Sequence, residues 1–178
     1  MSKRHGPLVI GVTDPLRHPG SRYPVALTAA LADLAISTAA VPSGAEVALE
    51  VAVEAMADGR LTVTGTVVAP YEAACRRCLE PVAGRVEARV KEVFEGVPVE
   101  GETYPRHGEQ IDLEQLARDA VLLALPLAPL CRDDCAGPDP LDHPVTVADG
   151  DGPVEGDDGH EAPPTDPRWA ALRELRFD

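Results

Sequence analysis

Four cysteines are the residues of this chain whose type and spacing could do chemistry. They fall as two short pairs, Cys75 with Cys78 and Cys131 with Cys135. A Cys-x2-4-Cys spacing lets two thiolates turn toward one ion without straining the backbone, and two such pairs supply a closed tetrahedral zinc site. The pattern favours structural Zn²⁺. Reduced thiols and two local disulfides remain the alternative interpretations.

Arginines lie within both cysteine pairs. Four thiolates around one dication leave a net charge of about −2 on the site. Arg76, Arg77 and Arg132 lie next to the cysteines in sequence, so they could offset that charge from outside the sulfur shell.

Composition limits the classes of function. The 178-residue chain has a formal net charge of −14, which argues against broad electrostatic binding to bare nucleic acid. The N-terminus shows no secretory apolar segment, and the longest apolar run, 120–131, contains two prolines and is too short to span a bilayer. We therefore expect a soluble, cytoplasmic protein, where cysteines favour metal over disulfides.

Alternating apolar and polar residues predict the strands that must position the first pair. Segment 46–54 has valine or leucine at every odd position, with glutamates facing the other way. Asp58 and Gly59 then supply a hairpin turn, and the chain alternates again over 61–67 and over 85–91. The first cysteine pair should lie at a tight turn between two antiparallel strands. Elsewhere, 8–12 reads as a strand, 25–36 as a strand or a short helix, and 95–110 as a loop.

One helix is predicted between the two cysteine pairs. Asp112 has the sequence context of an N-cap, with Gln115 completing a capping box, and Pro126 ends the helix. Its second half is apolar nearly all round, so we expect it to pack deeply and to carry the second pair to the first. The apolar face consists of Leu113, Leu116, Ala117, Ala120 and Leu123.

The remaining sequence differs sharply in composition. Segment 136–165 is rich in glycine, proline and acidic residues without any lysine or arginine, which predicts a disordered linker. Segment 166–178 begins with an Asp-Pro helix start and carries Trp169, Leu172 and Leu175 at helical spacing. This short amphipathic helix should either dock on the domain or bind a partner in a groove.

Together these elements predict an α+β fold. An antiparallel, β-rich single domain with one main packed helix should occupy 1–135, followed by the acidic linker over 136–165 and the short helix over 166–178.

Four stretches carry a family resemblance. They are Cys75-Arg76-Arg77-Cys78-Leu79-Glu80-Pro81, Leu122-Leu123-Ala124-Leu125-Pro126-Leu127, Pro129-Leu130-Cys131 with Cys135, and Asp166-Pro167-Arg168-Trp169-Ala170-Ala171-Leu172. With them the chain resembles the YceD family, also called large ribosomal RNA subunit accumulation proteins, in its actinobacterial form. The resemblance implies a role in the synthesis, processing or stability of 23S rRNA. The acidic composition adds that a basic ribosomal protein or another large-subunit assembly factor is the expected partner, rather than bare RNA.

Two hypotheses of different classes follow. The first is a non-enzymatic ribosome-biogenesis factor, since a closed four-sulfur site leaves no open position for catalysis. The second is a cytoplasmic thiol-redox or metal-dependent enzyme that uses Cys75 and Cys78, because flanking arginines can lower a thiol pKa. A small set of residues is the candidate surface for local contact with rRNA or a partner. For the arginines and the lysine in the set, ordinary surface charge is the competing interpretation. The set consists of Arg76, Arg77, Arg85, Arg89, Lys91 and Trp169.

Overall fold

Strands dominate residues 6–138, the part of the chain that the computed structural model describes. Two helices interrupt them, a five-residue one near the N-terminus and an eleven-residue one after the last strand. The elements are β1 (Val9–Gly11), α1 (Thr13–Arg17), β2 (Arg22–Ala30), β3 (Ala39–Ala40), β4 (Glu46–Ala55), β5 (Leu61–Ala74), β6 (Pro81–Glu95), β7 (Tyr104–His107), β8 (Gln110–Asp112) and α2 (Glu114–Ala124). The α+β fold class predicted from the sequence is confirmed.

The strands form one sheet in the order β1-β8-β7-β6-β5-β4-β2, with β3 added beside β5. Neighbouring strands run antiparallel, except that β6 and β7 run parallel where Phe94 lies opposite Tyr104. A short antiparallel contact places Ala39 of β3 opposite Ala73, close to the cysteine end of β5.

A long antiparallel meander of β4, β5 and β6 positions the first cysteine pair. The predicted hairpin is confirmed, and Gly59 adopts a φ of 84° in its turn, a conformation that costs glycine little. From there β5 and β6 stay paired from Leu61 opposite Phe94 to Ala74 opposite Pro81. Residues 75–80 are therefore the loop at the far end of this hairpin.

The core beneath the sheet is aliphatic, as the low aromatic content requires. Alternate residues of β4 and β5 are buried over most of both strands, and α2 packs on β6 and β5 with Leu116, Ala117 and Val121 buried. Among residues 6–138, Phe94 is the largest fully buried side chain, and its ring stacks on Tyr104 with centroids 5.1 Å apart. The inward side chains of β4 and β5 are Val47, Leu49, Val51, Val53, Ala55, Leu61, Val63, Val67 and Ala69.

Three sequence expectations need correction or completion. The segment 95–110, read as a loop, contains β7 and the start of β8, and 25–36 begins as strand, within β2. The second half of α2 is not packed all round, because Leu123 points outward and is 88% exposed. Only one side of the helix meets the sheet, so apolar residues beyond that side stay in solvent.

The start of α2 differs by one residue from the expectation. Leu113 occupies the N-cap position without a side-chain cap, and the helix begins at Glu114. Asp112 still serves the helix start, since its carboxylate accepts the backbone N–H of Glu114 at 3.0 Å. The predicted helix over 166–178, and the acidic linker apart from its first three residues, lie outside the described residues.

Candidate metal centre

The first cysteine pair lies in a tight loop closed by backbone hydrogen bonds. The N–H of Cys75 donates to the carbonyl of Glu80 at 2.8 Å, and the N–H of Leu79 donates to the carbonyl of Cys75 at 3.0 Å. Leu79 adopts a φ of 64°, which is uncommon outside glycine and lets the chain reverse just after Cys78. The backbone N–H of Arg77 points at the Cys75 sulfur at 3.5 Å. The loop thereby turns both thiols to one side.

The second pair is brought to this loop by the chain that leaves α2. The hydroxyl of Thr38 donates to the carbonyl of Pro126 at 2.9 Å, which holds the exit from the helix. Three residues later the carbonyl of Pro129 accepts the backbone N–H of Arg76 at 2.9 Å. These bonds place Cys131 and Cys135 against the first pair, as the sequence analysis expected of the helix.

The four sulfurs form one cluster. The Sγ atoms of Cys75 and Cys135 are 3.8 Å apart, those of Cys78 and Cys131 are 3.6 Å apart, and all four lie within 4.8 Å of one another. Four sulfurs each about 2.3 Å from a central zinc ion in a tetrahedron would be about 3.8 Å apart. All four cysteines are free thiols. The donor set and its dimensions thus fit a closed S4 metal site.

Arg77 ties the two cysteine loops together. Its guanidinium donates to the carbonyl of Cys135 at 2.7 Å and to the carbonyl of Asp133 at 3.2 Å. Arg132 behaves differently, because it pairs with Asp134 at 3.3 Å in a solvent-exposed position. Of the arginines expected around the site, Arg77 is therefore the one whose side chain supports a cysteine loop directly.

The surroundings shift the pKa values of the thiols in opposite directions. Cys75 is fully buried, and backbone N–H groups of Cys78, Cys131 and Arg77 lower its thiol pKa to about 6. The neighbouring thiols of Cys135 and then Cys78 raise the pKa of Cys131 to about 12. Adjacent sulfurs resist a second ionisation because like charges repel. A bound dication would remove that repulsion, and metal binding would release the remaining protons.

The other sequence-assigned contact residues do not join this cluster. Arg85, Arg89 and Lys91 lie at alternate, exposed positions of β6, on the face turned away from the core, as their period of two predicted. Arg76 is exposed beside Cys75, while Trp169 lies outside the described residues. Sequence reasoning missed Thr38 and the hydrogen bond made by Pro129, because both contacts pair distant segments and leave no local pattern.

A family model described as large ribosomal RNA subunit accumulation protein YceD matches residues 63–176, which include all four cysteines. The chain belongs to the YceD family. The match begins within β5 and extends past the described residues to the C-terminal segment that carries Trp169. The family resemblance inferred from the cysteine and helix motifs is thus confirmed.

Relatives from mycobacteria match nearly the whole chain. An uncharacterized protein of Mycobacterium tuberculosis and one of Mycobacterium bovis are each 35% identical, over 98% of this chain and 88% of the relative. A Mycobacterium leprae protein is 31% identical over 98% of this chain and 81% of its own length. No solved structure matches the chain. Within residues 6–138 neither helix could cross a bilayer, since the longer, α2, has 11 residues.

Proposed function

We propose that this YceD-family protein is a non-enzymatic, cytoplasmic factor in biogenesis of the large ribosomal subunit, supporting synthesis, processing or stability of 23S rRNA. The family match over residues 63–176 carries the proposal. The four-cysteine cluster supports the non-enzymatic part, because a closed S4 site offers no open coordination position to a substrate.

Structural zinc is the second part of the proposal. The ion would be held by Cys75, Cys78, Cys131 and Cys135, and its chemistry would be to join the β5–β6 loop to the segment after α2. Iron in the same sulfur set is the competing occupant. Because four sulfurs close the coordination shell, the ion would have no open position for a substrate and would act only as a structural link.

Local contact with rRNA is assigned to the hairpin that carries the first cysteine pair. Residues 76–91 hold five cations and two acidic residues, whereas the whole chain carries 16 cations against 30 acidic residues. The cations of β6 are exposed on the outer face of the sheet. Phosphate contacts need such a local positive surface even on an acidic protein. The five cations are Arg76, Arg77, Arg85, Arg89 and Lys91.

Trp169 is assigned to partner contact. The family match reaches residue 176 and so includes this position, and Trp is enriched in protein interfaces. A Trp169→Ala variant should keep its melting temperature and lose co-purification with a large-subunit protein. A drop in melting temperature with the association intact would contradict the assignment.

Sucrose-gradient profiling of a deletion strain tests the proposed function. We expect fewer mature large subunits, accumulation of lighter large-subunit precursors and an unchanged small-subunit peak. Normal subunit ratios together with a normal 23S rRNA level would remove the ribosomal function.

A thiol-redox enzyme is the second candidate, favoured by the lowered pKa of Cys75, to about 6. Disulfide reductases use such a thiol when it is solvent-accessible, whereas Cys75 is fully buried at the end of an antiparallel strand. A disulfide-reductase assay with Cys75→Ser as control separates the two candidates. Cysteine-dependent turnover would favour the enzyme.

A further inference from the structure

One edge of β6 is open over most of its length. Its 15 residues pair with β5 as far as Phe94, but the opposite edge pairs with β7 only at Phe94 and Glu95. Among residues 6–138, the segment 81–93 therefore has a strand neighbour on one side only. An open edge presents backbone N–H and C=O groups that another extended chain can pair with.

Helix α2 lies beside this open edge and turns it into a groove. Two adjoining cavities border it and share Glu92, Tyr104, Asp119 and Leu123. The first, of about 260 Å³, lies between β6 and α2, and the second, of about 470 Å³, lies between α2 and residues 101–105. Ala88 and Val90 line the strand side of the first cavity, while the helix lines the other side. A groove of this shape has room for the side chains of a strand that pairs with the edge.

The groove carries negative charge. Glu92 and Asp119 line both cavities, and Glu102 lines the second. The hydroxyl of Tyr104 donates to Asp119 at 2.9 Å. Burial, this hydrogen bond and the charges of Asp119 and Glu92 together raise the pKa of Tyr104. Arg89 is the cation that lines the first cavity, at its outer side. A cationic side chain entering between Glu92 and Asp119 would therefore be attracted.

An apolar side chain completes the surface. Leu123 lines both cavities and is 88% exposed, so its apolar area lacks a cover among residues 6–138. Covering this side chain on binding would remove its apolar surface from water, which favours association. This exposed leucine beside an acidic groove suits a ligand that alternates apolar and basic residues.

We propose that the groove between β6 and α2 binds an extended, basic segment of a partner protein. The segment adds as a strand to the open edge of β6, places a lysine or arginine near Glu92 and Asp119, and covers Leu123 with an apolar side chain. Main-chain hydrogen bonds supply affinity in this mode, and pockets for alternate side chains supply specificity. The groove does not suit RNA, because the carboxylates of Glu92 and Asp119 would repel its phosphates.

The chemistry of the groove selects a basic, extended segment, and the proposed function then points to a large-subunit ribosomal protein as the partner; that assignment alone rests on the proposed function. The docking mode itself needs no ribosome for its test. It would stand if deletion left 23S rRNA normal, and it would fall on the peptide experiment even if deletion lowered 23S rRNA.

Two synthetic heptapeptides test the groove. One alternates valine and lysine, and the other alternates valine and glutamate. With the full-length protein, we expect the lysine peptide to bind at least tenfold more tightly than the glutamate peptide. In ¹H–¹⁵N NMR spectra, its addition should shift the amides of residues 86–92 and slow their hydrogen exchange.

Exposed-leucine variants provide matched controls. Leu123→Lys should weaken binding of the lysine peptide at least tenfold, because it removes apolar contact and adds like charge to the groove. Leu127 is also exposed, at 78%, but lines neither cavity, so Leu127→Lys should bind as the unsubstituted protein does. Neither variant replaces a buried side chain, so folding should be preserved.

Four outcomes would overturn the proposal. They are equal affinity for the two peptides, no binding of the lysine peptide, equal weakening by both leucine variants, and amide shifts confined to another edge. The other long edge strand, β2, is the relevant comparison, and it contains Pro24, which cannot donate to an added strand.

Discussion

Arg77 joins the two halves of the cysteine cluster. Its guanidinium binds two carbonyls of the second cysteine loop, while its backbone N–H points at Cys75 of the first. Groups that orient metal ligands in this way typically change metal affinity by about 10–100-fold when they are removed.

Replacing Arg77 tests this supporting role. Arg77→Gln should lower zinc affinity by about 10–100-fold in a competition titration with a chromogenic chelator, because the second loop loses two of its hydrogen bonds. Arg76→Gln is the matched control, since Arg76 contacts the second loop through its backbone N–H. Equal losses of zinc affinity in both variants would show that positive charge near the site, and not the hydrogen bonds of Arg77, determines the affinity.

Metal content tests the cluster itself. Protein purified without a histidine tag should contain about one zinc ion per chain by elemental analysis. Cys78→Ser should abolish that content and lower the melting temperature, because the ion would no longer hold the segment after α2 against the hairpin. Well-folded protein that lacks metal and shows four titratable thiols would contradict the site.

Sequence spacing was sufficient to predict that the four cysteines group together, but not which contacts hold them there. Two short cysteine pairs can close around one ion in many folds, so Cys75 and Cys131 could be grouped before the fold was known. The bond from Thr38 to Pro126 joins positions 88 residues apart, and such a pairing leaves no local pattern. Leu79 also has no sequence signal, because its left-handed conformation is usually occupied by glycine.

At the scale of elements, the close pairing of β4 with β5 depends on one small residue. Gly65 lies opposite Val51 on one side and Val90 on the other. A Cβ at this position would overlap the carbonyl oxygen of Glu50 and lie 2.6 Å from the Cα of Val51. The close approach of the strands therefore requires glycine.

Gly65→Ala should destabilise the protein by roughly 1–3 kcal/mol, because backbone atoms rather than a flexible side chain must move. Denaturant unfolding followed by circular dichroism measures this loss. Gly11→Ala provides the control, since a Cβ there meets nothing within 4 Å, and it should be near neutral or slightly stabilising. An unchanged unfolding midpoint for Gly65→Ala would show that the strands can separate freely.

Strong periodicity explains which elements could be predicted from the sequence. The hairpin of β4 and β5 alternates over many residues, whereas β7 and β8 have four and three residues and form through pairing with distant strands. The exposure of Leu123 was missed for a related reason. An apolar residue on a helix predicts burial only when something covers that side, and the sheet covers only one side of α2.

At the scale of the whole molecule, a cationic hairpin stands out on an acidic chain. Removal of one cation that binds a phosphate should reduce the salt dependence of RNA binding by about one unit of slope. Arg85→Gln/Arg89→Gln should therefore weaken co-sedimentation with large-subunit precursors and flatten its salt dependence. Arg17→Gln/Arg22→Gln removes the same charge from other exposed positions and should have little effect. Equal effects of the two double variants would indicate that net charge, not the hairpin, governs association.

The ratio of 23S to 16S rRNA in a complemented deletion strain tests the proposed function most directly. We expect deletion to lower the ratio, the unsubstituted chain to restore it, and Cys78→Ser to fail, because the four-cysteine cluster joins the hairpin to the segment after α2. A ratio that stays normal on deletion, with 16S rRNA as the internal reference, would contradict a role in large-subunit rRNA accumulation.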